Sequence, residues 1–282
     1  MSRSHACSAR SKRSPLEPTV SRPFPAIFLP ALIGTLVLAG WYGIHFLLAE
    51  EMRFLLPTPG AVIAALRANG DSLAHAALNT AQGALLGFVA SVALSIVLAL
   101  ILSLSPLIRA SLYPYLMILQ MTPVIVIAPI LVLWVGAGIR SVTFITFLIC
   151  FFPLVVNTTQ GLVSTDRHLV ELFRMWRVSR WQQLRHLRAP AALPYFFTGL
   201  RIAATLAPIG ALVGDYTAGS SAGDGGGLGF QAIIYSSQAK YAALFATAAI
   251  TCILGFVFTA AVLALSWLAL HQWHDSYERP DR

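Results

Sequence analysis

Charge is what this chain has least of: Asp, Glu, Lys and Arg make up 11% of its 282 residues, against about 25% in a soluble domain. With 57% hydrophobic residues, that scarcity excludes an ordinary soluble globule and points to an all-α polytopic membrane protein. Lysine is nearly absent. Lys12 and Lys240 are the whole complement, and neither closes a G-x-x-x-x-G-K-[ST] loop, so the chain has no nucleotide site of that kind. The glycine run Gly223 to Gly229 resembles a phosphate loop only superficially, because it follows an apolar run where a phosphate loop follows a strand. It reads as a flexible external turn. The three cysteines, Cys7, Cys150 and Cys252, lie far apart, which supports neither a disulfide framework nor a metal site. The seven histidines form no HExxH and no triad-like cluster; His271 and His274 share one helical face at what reads as an interfacial helix end. No catalytic residue, metal or cofactor is expected.

What is abundant is long apolar sequence. Six runs are long enough to cross a bilayer: Ala26–Leu48, Thr80–Leu104, Leu112–Val135, Val142–Leu162, Leu193–Val213 and Ala242–Leu270. The first has 23 residues, roughly 35 Å of helix against a hydrocarbon core of about 30 Å. A cleaved signal peptide would have a shorter apolar region and a small-x-small site, yet Leu47 occupies the −3 position before Ala49. An uncleaved first span is expected. Residues 1–25 read as a disordered basic tail, 49–79 as an external link with a short helical pattern from Ala61 to Arg67, 80–270 as the core, and 271–282 as a second tail.

Charge distribution sets the orientation. If the amino terminus is cytoplasmic, fourteen Lys and Arg fall on the inner side and Arg53, Arg67, Arg140 and Lys240 on the outer. This is a clear positive-inside bias. The net charge of +8 is then explained by topology and anionic lipid, with no nucleic acid as partner. Both termini are expected in the cytoplasm.

Between the fourth and fifth runs, in a loop spanning 163–192, lies a stretch from Asp166 to Pro194 holding six arginines. Its apolar residues Leu169, Phe173, Trp176, Leu184 and Leu187 recur near the helical period, so it predicts a basic amphipathic element suited to docking a soluble partner. Pro190 and Pro194 are expected to stop that helix. Within the runs ionisable groups are few: Arg201 sits about 12 Å into its helix, and Asp215 ends it. A charge at mid-bilayer costs several kcal/mol and asks for a function. Arg201 reads as a helix anchor or as a pathway or gating residue. Asn157, Gln120, Asp215, Thr122 and Thr205 are the other candidates to line a path, though such groups also serve as interhelical hydrogen-bond partners.

Glu171-Leu172-Phe173-Arg174, then Arg177 and Ser179, then Ala189 to Pro194, resembles the cytoplasmic "EAA" loop of ABC-importer permeases. Leu172 and Phe173 replace the two small residues of that pattern, and Arg177 stands where the family has a bend-permitting glycine. The Leu56-Pro57-Thr58-Pro59 segment, the run from Thr122 to Gly136, Phe151 to Asn157, and Gly199-Leu200-Arg201-Ile202 through Gly214-Asp215 to Gly227-Leu228-Gly229-Phe230 extend the resemblance. Together they are similar to permeases of the nitrate/sulfonate/taurine type, particularly the branch handling pyrimidine vitamin precursors. The resemblance implies a type I importer permease with six transmembrane helices, in the inner membrane of a bacterium. It also implies a second copy of the chain, an ABC ATPase subunit and an external substrate-binding protein as partners. The helix from Glu171 to Ser179 would sit in a groove of the ATPase, with Glu171, Arg174 and Arg177 as polar contacts and Phe173 and Trp176 as apolar anchors. An ion- or proton-coupled secondary transporter is the alternative; it would need an intramembrane carboxylate and usually repeated halves, and only Asp215, at an edge, comes near. A pore-forming channel would want a filter or ring of charges, and none stands out.

Overall fold

The computed structural model describes residues 28–218 and 226–270, and its regular elements there are all helical. The basic amino-terminal tail, residues 223–225 of the glycine run, and the tail with His271 and His274 lie outside the described residues. Helix α1, Phe28–Leu47, forms a unit of its own in which no residue is buried. At 20 residues it measures about 30 Å, one hydrocarbon thickness.

The second unit runs from Ala49 onward. A 3₁₀ turn, Glu50–Leu55, precedes α2, Pro59–Ala68, where the Thr58 hydroxyl accepts a hydrogen bond from the Ala61 N–H at 3.2 Å. Thr58 before Pro59 is a sequence-coded start, a cap followed by a proline whose missing N–H costs nothing. Helix α3, Gly70–Leu104, is 35 residues long and so about 52 Å. It therefore takes in residues 70–79, expected as external link. Their polar groups hide the reason: Leu73 and Ala76 are buried against Leu228, Tyr235, Ala243 and Ala246, and that packing continues the helix beyond its apolar part.

The run expected as one straight span, Leu112–Val135, is instead a bent pair. Helix α4, Pro106–Met121, meets α5, Val124–Val135, at 98°. Thr122 precedes Pro123 and has left the helical region at ψ 124°, as a residue before proline must where the ring crowds it. Arg109 on α4 shares a cavity with the ends of α3 and α6, whereas α5 finishes beside the start of α6. The pair therefore carries the chain from one end of the bundle to the other as a broken crossing. With it, the five straight apolar helices make six.

Helix α6, Ile139–Val163, is the axis of the bundle, packed most extensively on α9 and α3. Helix α7 is Arg167–Met175, α8 Arg180–Gln183 and α9 Ala189–Ala218. Pro190 and Pro194 do not stop the chain's helical path as expected. A π turn at Leu184–Arg188, with the Ala189 N–H donating to the Leu184 carbonyl, joins α8 to α9 without a break. The widened turn relieves the clash a proline ring makes with the carbonyl four residues back, and Leu184 buried with Ala99, Leu162 and Ala192 holds it in place. Helices α10, Leu228–Ser237, and α11, Tyr241–Leu270, complete the fold.

Lipid tails are as apolar as leucine, so these helices are held by close approach of small residues more than by hydrophobicity. A Cβ on Gly214 would lie 2.7 Å from the Val142 Cα, and one on Gly210 would lie 3.0 Å from the Thr146 Cα. Both obstacles are backbone of α6. From the opposite side, a Cβ on Gly87 of α3 would lie 2.7 Å from the Thr143 carbonyl oxygen.

Helix α7 ends in a left-handed bend. Arg177 has φ +54°, the Val178 N–H donates to the Phe173 carbonyl at 3.2 Å, and the Arg177 N–H donates to the Arg174 carbonyl at 3.0 Å. These two bonds are the Schellman pattern, usually closed by glycine. Ala239 repeats it after α10, with φ +54° and Lys240 donating to Tyr235 at 2.9 Å. An arginine in this region carries a cost of about 1–2 kcal/mol, so Arg177 keeps the glycine-type bend under strain.

Two outcomes follow. Gly214→Ala lowers stability in detergent by about 1–3 kcal/mol through overpacking, while Gly40→Ala in α1, with no atom within 4 Å, leaves it equal or raised by up to about 1 kcal/mol; thermal unfolding of the two variants measures both. Arg177→Gly raises amide-exchange protection at residues 174–180 about fivefold by removing roughly 1 kcal/mol of strain, whereas unchanged protection would show the bend to be unstrained.

Candidate functional site

The arginine-rich loop presents a built surface. Asp166 caps α7, its carboxylate accepting from the His168 N–H at 2.9 Å. Ser179 starts α8 through a capping box: its hydroxyl accepts from the Gln182 N–H at 3.2 Å, and the Gln182 side chain accepts from the Ser179 N–H at 3.0 Å. The bend is thus fixed by the Schellman bonds on the α7 side and by reciprocal capping on the α8 side. The expected single helix from Glu171 to Ser179 is therefore two short helices about a left-handed hinge, with Ser179 in a capping role.

Cap and hinge together set which side chains face outward. Glu171, Leu172, Arg174, Trp176 and Arg177 are exposed. Phe173, expected as an apolar anchor, is half-buried, as are Val170 and Val178. Leu169, Leu172, Met175 and Trp176 make the outward apolar face, Met175 at 79% and Trp176 at 78% exposure, with Trp181 at 68% on α8. Met175 and Trp181 were absent from the sequence-based anchors. For Met175 the available signal was the phase of α7 counted from its cap, which puts it one turn beyond Leu172; Trp181 belongs to α8 and had no such signal.

The polar residues of the bundle divide into two sets. Asp215, 5% exposed, is locked inside. The Thr80 hydroxyl donates to its carboxylate at 2.5 Å and accepts from the Leu228 N–H at 2.8 Å, and the Gly229 N–H also donates to Asp215. The carboxylate thus caps the amino terminus of α10, where the helix dipole favours negative charge, and ties α9 to α3. Gly227 is required there, since any Cβ would collide with the Asp215 carboxylate. Asn157 is likewise engaged: its amide donates to the Pro153 carbonyl at 2.8 Å, and its Cβ lies against Gly199. Neither residue presents an exposed side chain: Asp215 is buried and Asn157 half-buried.

Gln120 and Arg201 do. Gln120 is exposed beside the α4–α5 bend, where Thr122 is half-buried. Arg201 is exposed on an outward stripe of α9 with Thr198 and Thr205, whose hydroxyls bond within their own helix. Among the described residues Arg53 pairs with Glu50 at 3.6 Å and Arg201 forms no ion pair. Among the described residues the geometry assembles no catalytic group; it presents an exposed apolar and charged face on α7 and α8 and polar side chains facing outward from the core helices.

Residues 83–272 match the family described as binding-protein-dependent transport system inner membrane component. Among similar proteins, the formylaminopyrimidine transport permease protein ThiX of Halalkalibacterium halodurans is 36% identical over 218 residues, 77% of this chain and 85% of that protein. The riboflavin transport system permease protein RibX of Chloroflexus aurantiacus is 32% identical, covering 70% of this chain and 73% of its own. The putative aliphatic sulfonates transport permease protein SsuC of Bacillus subtilis is 26% identical over 79% and 80% of the two chains. A helical bundle with up to six crossings, matched over residues 83–272 by that family and over most of its length by transport permeases, belongs to the family of binding-protein-dependent transport system inner membrane components.

Proposed function

We infer that this chain is one half of a homodimeric importer for a small solute, driven by a separate ATPase subunit and supplied by an external binding protein. The observation that carries the reading is the outward face of α7 and α8. Exposed Leu169, Leu172, Met175, Trp176 and Trp181, interleaved with Glu171, Arg174 and Arg177, form an apolar centre with a charged rim. That is the composition of a protein docking surface, with the two tryptophans as energetic anchors. The arginine bias places this end of the bundle in the cytoplasm, where an ATPase works.

The connection to the membrane is mechanical. Helix α8, the π turn and α9 are continuous from Arg180 to Ala218, so a push on the docking surface moves α9 as a rod. Closure of an ATPase pair on ATP would displace the loop, rock α9 against α6 and open the path outward. Arg201, Gln120, Thr198 and Thr205 face outward from the bundle, and an arginine directed at acyl chains is expensive. A second copy meeting this stripe would enclose it as a polar path. There Arg201 would favour an anion or a ligand rich in hydrogen-bond acceptors; a sulfonate-like anion or a pyrimidine vitamin precursor satisfies that chemistry, and among the relatives ThiX is named for formylaminopyrimidine and SsuC for aliphatic sulfonates.

The test replaces the anchors. Met175→Glu with Trp176→Glu reduces co-purification of the co-expressed ATPase at least about tenfold, since hot-spot side chains carry 2 kcal/mol or more, while membrane insertion is unaffected. Undiminished ATPase recovery by the inserted double variant would exclude this face as the docking surface.

A further inference from the structure

Behind the docking face lies a cavity of about 700 Å³ where the ends of α3 and α6 meet the start of α4 and the arginine-rich loop. Arg109, Arg174, Arg180 and Arg188 all line it, and no carboxylate does among the described residues. Arg188 is repelled by both Arg174 and Arg109, and its hydrogen bond is to the Ser103 carbonyl at 3.3 Å. Two further polar groups on the cavity wall lack partners: the Gln183 side-chain N–H₂, on a residue 9% exposed, and the Thr165 hydroxyl. Arg167 and Arg185 do not line the cavity; of the four that do, Arg109 and Arg188 are half-buried and Arg174 and Arg180 exposed. Four arginines that converge with a buried amide donor and a hydroxyl leave unbalanced positive charge and unused donors.

We propose that this cavity is a binding site for a phosphate group, with the membrane's anionic phospholipid as its source. Several guanidinium forks around one anion match the tetrahedrally arranged oxygens of a phosphate, which offers more acceptors than the two of a carboxylate. The source follows from what adjoins the cavity. A groove of about 460 Å³ between α4 and α6, lined by Ala110, Tyr113, Pro114 and Thr159, shares Pro106, Arg109 and Val163 with it. Tyr113 and Pro114 lie four and five residues beyond Arg109, about 6–8 Å further along α4. The headgroup phosphate occupies the arginine cavity and an acyl chain lies in the groove. A lipid so held offsets part of the loop's positive charge from behind and fixes the position of α7 and α8 relative to α3, α4 and α6.

The experiment is native mass spectrometry of the full chain in detergent with equimolar phosphatidylglycerol and phosphatidylcholine. The wild type retains phosphatidylglycerol selectively. Arg109→Gln and Arg188→Gln each weaken retention about fivefold and the double variant about twentyfold, at roughly one basic side chain's contribution per substitution. Arg140→Gln, the same charge change at the opposite end of α6, leaves it unaltered. Arg109→Lys with Arg188→Lys, which keeps charge and fold, retains most of the selectivity. A parallel titration with inorganic phosphate separates the sources: phosphate binding lost in Arg109→Gln without lipid selectivity keeps the phosphate site and overturns the lipid assignment. Absence of both, or the same lipid retention in the double Gln variant, overturns the proposal, as does loss of ATPase capture with lipid retention intact, which would assign the cavity to an acidic protein partner.

Discussion

The whole bundle depends on how closely α6 approaches its two neighbours. In hydrocarbon no solvent drives helices together, so van der Waals contact and hydrogen bonds must do it. Glycines at 87, 210 and 214 bring α3 and α9 against the backbone of α6, within a separation that excludes any side chain. Ala203, Ala204, Ala207 and Ala211 continue the α9 side of that contact, all fully buried. Such an interface is rigid, because no flexible side chain lies within it to rearrange.

Rigidity at the centre gives the two ends their roles. At one end Asp215 and Thr80 hold α9, α3 and the start of α10 in a single hydrogen-bonded cluster. At the other, α9 runs without interruption through a π turn into α8 and the hinge at Arg177. A displacement applied to the loop is therefore delivered to the whole of α9. The exposed stripe with Thr198, Arg201 and Thr205 travels with it, and those are the polar groups that face away from the chain's own core.

Much of this architecture could be read from sequence, and the failures have physical causes. Apolar length identified the crossings, because a helix in lipid must be about twenty apolar residues long. The same criterion missed residues 70–79 of α3, whose polar side chains disguise a helix stabilised by Leu73 and Ala76. Prolines misled in both directions. Pro123 breaks its run because Thr122 cannot stay helical before it, whereas Pro190 is absorbed by an adjacent π turn that nothing in the composition announces. In the loop, the glycine-type bend survives although arginine occupies the position, since the Schellman bonds are made by backbone groups. Hydrophobic periodicity gives a stripe without saying which of its residues is most exposed, so Phe173 is half-buried where Met175 and Trp176 are exposed. Asp215 looked like an edge residue by position, but its Thr80 partner is 135 residues away in the chain.

The account stands on α7 being the point where work enters from the cytoplasm. A single-cysteine variant, Met175→Cys with the native cysteines removed, probed with a membrane-impermeant maleimide, addresses this directly. Labelling in inverted vesicles, none in intact cells, and protection once the ATPase is bound is the result the account predicts. Labelling from the outside of intact cells, or labelling indifferent to a bound ATPase, would contradict it.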